Sequence, residues 1–323
     1  MINIPTLLIL GAGASNPYGY PLGTELKDNI TKDLLTFINN NNEEHWARDL
    51  GFSKELIFRF ARNFEFSKSY SIDSFLAHQD EEIVEIGKIA IVNQISKCED
   101  PKKLFQDHIW GINRQLLFEN NDDWYRYLIN KITSNAPVDA VKENKLEIIT
   151  FNYDRSLEMC LTRALASFYS ITLKESFDII KNFSIVHMYG QLDPLPLDDS
   201  LKERKYGDPC SSNNIKKISN NIKIVHEAQK DKRIETANEM IERAKRIYFL
   251  GLDLRNTDNL GLLDLSSLGS KRSLATAYNL KDAEIRGIHN YLTSRITQHS
   301  PTIKVTSPDM KSLESIRSEL PFK

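Results

Sequence analysis

Gly11-Ala12-Gly13-Ala14-Ser15, followed three residues later by Gly19-Tyr20-Pro21, is the first stretch of this chain whose residue types suit ligand chemistry. Gly11 and Gly13 permit a tight turn and a close backbone approach to a pyrophosphate. The helix expected from about Thr24 adds free N–H groups and the positive end of its dipole. Against the pattern G-x-G-x-x-G, Asn16 stands in the third glycine's place, so a plain strand-to-helix turn stays open beside nucleotide binding. The second stretch is Thr150-Phe151-Asn152-Tyr153-Asp154. The Asn152 carboxamide can position a water, and Asp154 can either face a ligand or cap the following helix. The third is Val186-His187-Met188-Tyr189-Gly190. An imidazole here can take up a proton or bind a hydroxyl, although a lone strand-end histidine is also a common structural residue. Residues 187 and 189 of one strand point to the same face, so Tyr189 competes for the same place. The fourth is Gly251, after Ile247–Leu250, with Asn256 and Asn259 beyond it in what could equally be a polar turn.

These residues need a scaffold that gathers strand ends. Uninterrupted apolar runs at Thr6–Leu10, Leu146–Phe151, Phe183–Met188, Ile222–Val225 and Ile247–Leu250, with a weaker one at Thr302–Val305, suit strands buried on both faces. Helical patterns at Arg155–Tyr169, Ile234–Arg246 and near Lys281–His299 separate most of them. The alternation predicts an α/β fold, a Rossmann-like doubly wound parallel sheet. Between the first two strands, Phe52–Phe66, Ile72–Ser96, Pro101–Glu119 and Asp122–Thr133 read as amphipathic helices. Ser71 or Asp73 is a candidate cap, Asn39–Asn42 reads as a loop, and Trp110, Leu116, Leu117, Trp124 and Tyr127 supply apolar bulk. The expected division is a sheet domain of residues 1–30 and 146–323 with an inserted helical domain, 31–145. The loop Gln191–Asp208 is either a lid or partner contact or an ordinary solvated connection.

Composition narrows the setting. The 323 residues are 41% hydrophobic and 27% charged, enough to bury a full core, and 42 Lys+Arg against 44 Asp+Glu leave a charge of -2. That balance argues against a dedicated nucleic-acid surface or a polybasic membrane anchor. Cys98, Cys160 and Cys210 are far apart, which suggests a reduced, cytoplasmic protein and leaves too few thiolates for a four-cysteine zinc site. The amino-terminal MINIPTLLIL has no basic lead of a signal peptide, and no apolar run reaches the roughly 20 residues of a membrane span.

In order and spacing over residues 7–260, the four stretches resemble sirtuin-like (silent information regulator type) NAD-binding domains. The resemblance implies that Gly11, Ala12, Gly13, Ser15, Pro21, Tyr189 and Gly190 help bind NAD. It implies that Asn152 contacts the nicotinamide ribose and orients a water, that Asp154 lies near the carboxamide, and that Gly251 and Asn259 meet the adenosine half. The family's catalytic histidine directly precedes a glycine. Here Tyr189 precedes Gly190 and the histidine is His187, which is taken as the acid/base or ribose-binding group with Tyr189 as the alternative. Ser71–Leu76 (SIDSFL), Phe151–Glu158 (FNYDRSLE) and the missing zinc ribbon look like the prokaryotic branch, not the deacylases. That branch implies an NAD+ hydrolase of antiphage defence that takes NAD as its substrate, needs no metal and is controlled by a partner protein or by homo-oligomer assembly. A catalytically silent NAD or ADP-ribose sensor is the second expectation, and protein deacylation or ADP-ribosyl transfer the third. Hydride transfer is rejected, because Asp28 and Asp33, at the distance where a dehydrogenase needs an acid at a strand end, sit in a helical pattern.

Overall fold

A computed structural model describes the chain except residues 41–44, 106–121, 197–203, 256, 297–301, 320 and 323. Six strands form one sheet: β1 Thr6–Leu10, β2 Leu146–Thr150, β3 Ile185–His187, β4 Arg246–Leu250, β5 Arg272–Ala275 and β6 Thr302–Val305. All neighbours are parallel, in the order β3-β2-β1-β4-β5-β6. Flanked by helices, this is the expected α/β fold with Rossmann strand order and a large helical insertion after β1. β1 is buried along its whole length. It pairs residue for residue with β2 and β4, so that Leu10, Thr150 and Leu250 end level. The turns after these strands therefore open onto one edge.

Two strand expectations are corrected. Ile222–Val225 is not in the sheet. Ile222, Ile224 and Val225 are buried, but the Lys223 amide donates to the Tyr189 carbonyl (2.8 Å) and Val225 opens a short helix, Val225–Ala228. The apolarity of this run comes from packing against the turn after β3, without ladder pairing. The strand that replaces it is β5, Arg272-Ser273-Leu274-Ala275, whose polar first half hides it in the sequence.

The expected helix Ile72–Ser96 is two helices, Ile72–Leu76 and Glu81–Lys97. Ser71 Oγ caps the first by accepting from the Ser74 amide (3.2 Å), and Asp80 caps the second by accepting from the Ile83 amide (2.9 Å). The helix Lys54–Phe66 is capped by Ser53. Of the run expected at Pro101–Glu119, Pro101–Phe105 is helical, and Trp110, Leu116 and Leu117 lie outside the described residues. The helix Gly23–Asn39 runs straight across the boundary expected at residue 30. One continuous apolar core joins the inserted helices to the sheet. Trp124, fully buried, donates its indole N–H to the Ala14 carbonyl (2.8 Å), and Tyr125 stacks on Tyr18 with ring centroids 3.8 Å apart. These contacts fasten the last inserted helix, Trp124–Thr133, to the turn after β1. Among the described residues no helix is long and apolar enough to cross a membrane.

Candidate functional site

Strand order reverses between β1 and β4, and the carboxyl ends of the strands meet a crevice of about 560 Å³ there. This is where open α/β sheets bind ligands, and the volume is in the usual range for small-molecule sites. One wall is backbone. The Gly11 amide donates to the Leu250 carbonyl (3.0 Å), and the Gly13 amide to the Gly251 carbonyl (2.8 Å). Gly251 has φ +59, and a Cβ on it would lie 2.0 Å from the Ala14 nitrogen. A Cβ on Gly11 would come within 2.5 Å of Leu252 Cα. The glycines expected to approach a phosphate are thus required first for the turns after β1 and β4 to touch. Gly11, Ala12, Gly13, Ser15, Pro21 and Gly251 all line the crevice, as does the first turn of the helix Gly23–Asn39.

The opposite wall is built from side chains. In the turn after β2, Thr150 Oγ1 accepts from the Asn152 amide (3.1 Å). Asn152 Nδ2 donates to the Gly11 carbonyl and to Ser15 Oγ, both at 2.9 Å, so the two expected motifs are bonded to each other. With both amide protons engaged, Oδ1 is the polar end of Asn152 left for the crevice. Asp154 is buried and accepts from the Ser156 amide (3.0 Å) and hydroxyl. It therefore shapes the start of the helix Ser156–Tyr169 while also lining the crevice, and burial raises its carboxyl above the ordinary range. Arg155 is wholly buried. It bonds Glu99 Oε1 (2.7 Å) and the Asp193 and Pro194 carbonyls (2.9 Å each), while Arg204 bonds Glu99 Oε2 (2.6 Å) and Asp193 (2.9 Å). The described flanks of the loop expected as a lid or solvated connection are held to the inserted helices by this network. Its middle, residues 197–203, lies outside the described residues.

The two residues at the end of β3 divide their tasks differently from the expectation. His187 is buried and does not line the crevice. Its Nδ1 is 2.9 Å from the Asn152 carbonyl oxygen and its Nε2 2.7 Å from Glu158 Oε1, so both ring nitrogens are engaged. Burial disfavours the imidazolium, but the Glu158 carboxylate outweighs it and raises the ring above its ordinary value. Burial likewise disfavours the Glu158 anion, and His187 outweighs it in turn, holding that carboxyl low. His187 thus braces the backbone of Asn152. Tyr189 is the residue that reaches the crevice, its hydroxyl donating to Asn259 Oδ1 (2.6 Å). Gly190 also stays outside. With φ +74, it lies where a Cβ would sit 1.8 Å from the Asn221 carbonyl oxygen, so it is a glycine for chain passage. Asn256 lies outside the described residues.

Asp73 and Tyr153 are among the crevice residues to which the sequence reading gave no site role. Asp73, expected at most to cap a helix, stands in the first turn of the helix Ile72–Leu76, lines the crevice and accepts from the Tyr153 hydroxyl. Tyr153 stood inside the second motif, but its partner is 80 positions away and in another element. Among the described residues no cluster of three or more His, Cys, Asp or Glu is placed to hold a metal ion.

Strand order and crevice together define a Rossmann-type α/β protein with an open crevice at the switch point. No protein-family model matches the chain, and no curated protein matches it in sequence.

Proposed function

We propose that the chain is an NAD+ hydrolase that cleaves the bond between nicotinamide and ribose. The observation that carries this reading is the direct bond from Asn152 to Gly11 and Ser15 inside the switch-point crevice. It brings an amide suited to water positioning against the turn suited to a pyrophosphate, in the arrangement that the resemblance to prokaryotic sirtuin-like proteins implies. In the reaction the water oxygen bonds to C1′ of the ribose. The C1′–N bond breaks with its electron pair returning to the ring, so a cationic pyridinium leaves as neutral nicotinamide. ADP-ribose and one proton, released to solvent, complete the balance. Asn152 Oδ1 accepts a hydrogen bond from the attacking water and fixes its approach, and no strong acid is needed for the leaving group. On the same reading the protein acts in the cytoplasm, depletes NAD in antiviral defence, and is controlled by a partner protein or by assembly.

One observation favours a second reading, a sensor that binds NAD or ADP-ribose without turnover. Both nitrogens of His187 are engaged, so the imidazole is not available as a proton acceptor in the crevice. Free nicotinamide released from NAD+ by the full chain, with Asn152→Ala beside it, decides between them. Release that vanishes in Asn152→Ala supports hydrolysis. Binding of NAD+ without release by the wild type supports the sensor, and release unaffected by Asn152→Ala overturns the assignment of the site.

A further inference from the structure

One side of the crevice is aromatic and acidic, while the other mixes both signs of charge, Asp122 and Asp253 with Lys311 and Arg255. Phe151, Tyr153 and Tyr189 form an aromatic patch on the side of β2 and β3, with the Tyr189 ring 5.6 Å from Phe151 and 6.3 Å from Tyr153, centroid to centroid. Two carboxyl groups, Asp73 and Asp154, line the same side. Among the described lining residues the cations are Arg255 and Lys311, both on segments that follow β4 and β6. Arg255 is itself bonded to Asp253 and Glu284 (2.9 Å each). Aromatic faces with an adjacent anion favour a flat delocalised cation, by cation–π attraction and by charge.

We propose that Asp73, with Tyr153 and Tyr189, forms a receptor for the positively charged pyridinium ring and so selects oxidised NAD+ over NADH. This assignment rests on the NAD reading above and adds a ligand-recognising role for a residue of the helical insertion. The Tyr153 hydroxyl orients the carboxylate, and the cap Ser71 fixes the turn that carries it. Ser74, beside Asp73, bonds Asp258 (2.7 Å) and brings that acid near, with Tyr189 facing from the end of β3 and Glu227 acting on Tyr153. Burial, assisted by Asp258 and opposed by the hydrogen bond from Tyr153, raises the Asp73 carboxyl to about 6. It is therefore ionised at neutral pH and loses its charge near pH 5, and a bound cation favours the ionised form.

The test is equilibrium binding by the full chain of carba-NAD+, which keeps the pyridinium charge but resists cleavage, and of NADH. At pH 7.5 the wild type is expected to bind the oxidised form at least about tenfold more tightly. In folded Asp73→Asn the ratio should fall below about threefold at the same pH. In the wild type the ratio should also fall at pH 5, where Asp73 protonates. Tyr153→Phe keeps the carboxylate but removes a hydrogen bond that stabilises it, so its preference should persist at pH 7.5 and disappear at a higher pH than in the wild type. That variant decides the matter if Asp73→Asn does not fold. Equal binding of both forms by the wild type, or an unchanged ratio in Asp73→Asn, overturns the assignment of Asp73 while leaving NAD binding in place. Binding of neither form removes the NAD reading, and this assignment with it.

Discussion

The two walls of the crevice are made of different material. The wall from β1 and β4 is backbone against backbone where its two turns meet, held by Gly11, Gly13 and Gly251, with amide-to-carbonyl bonds of 2.8–3.0 Å. The wall from β2, β3 and the inserted helices is a mesh of side chains in which Asn152, Tyr153, Asp154, Glu158, His187 and Tyr189 each hold a neighbour. The first wall sets where a ligand can lie and tolerates almost no added atom. On the proposed reading the second selects the ligand and acts on it, and it carries the groups that titrate.

The backbone wall should give the largest effect on stability. Gly251→Ala forces a side chain into a left-handed conformation, at a cost of about 1–3 kcal/mol. It also drives a methyl group to within 2.0 Å of the Ala14 nitrogen and 2.3 Å of the Gly13 carbonyl carbon. Those atoms are backbone and cannot rotate aside, so a total loss of more than about 3 kcal/mol is expected in urea unfolding. A variant within about 0.5 kcal/mol of wild type would show that the two turns are not pressed together as described.

Asn152 joins the walls, and its loss should show mainly in turnover. Asn152→Ala removes two hydrogen bonds, worth about 1 kcal/mol each. The chain should stay folded with a modestly lower melting temperature. Nicotinamide release is expected to fall by about 10²-fold or more, some 2.7 kcal/mol of barrier. A drop in release no larger than the loss of stability explains would reduce Asn152 to a brace between the walls.

How much of each wall the sequence revealed follows from its material. Gly11, Gly13 and Gly251 were legible because glycines directly after apolar runs mark sharp turns at strand ends, and the runs located β1, β2 and β4 closely. The same rule failed at Ile222–Val225, where apolarity served packing, and at Arg272–Ala275, where half the strand is polar. The side-chain wall was legible only where its members were neighbours in one motif, as in Thr150–Asp154. Asp73 reaches it from the first turn of an inserted helix 80 positions away from its partner Tyr153, and pairing of His187 with Glu158 leaves Tyr189 as the strand-end residue that faces the crevice. Such long-range partnerships carry no local pattern, so residue type favoured the histidine although Tyr189 holds the position before the glycine.

The His187–Glu158 pair should give a smaller effect, visible as pH dependence of stability. Glu158 titrates lower in the folded chain than its ordinary 4.5, so its contribution is present above that value and lost as pH falls through the depressed one. His187 titrates above its ordinary 6.5, so its contribution is complete below 6.5 and lost as pH rises through the raised value. Both contributions are full only between about pH 4.5 and 6.5. The melting temperature of the wild type should therefore fall between pH 6 and pH 9 by more than that of Glu158→Gln. Equal slopes would mean that the imidazole is not held in its charged form.

Tyr189→Phe should produce the smallest change and the cleanest separation of the two residues at the end of β3. It deletes one hydroxyl and one 2.6 Å hydrogen bond to Asn259 while keeping the ring that packs on Phe151. A single hydrogen bond of this kind contributes about 0.5–1.5 kcal/mol, so nicotinamide release should fall by no more than about tenfold. His187→Ala provides the contrast, because it leaves Glu158 without its charged partner and frees the Asn152 carbonyl. Its loss of turnover should therefore come with a clear loss of stability, whereas that of Tyr189→Phe should not. If Tyr189→Phe instead abolished release in a fully stable protein, the phenol at the end of β3, and not the amide at the end of β2, would be the centre of the chemistry.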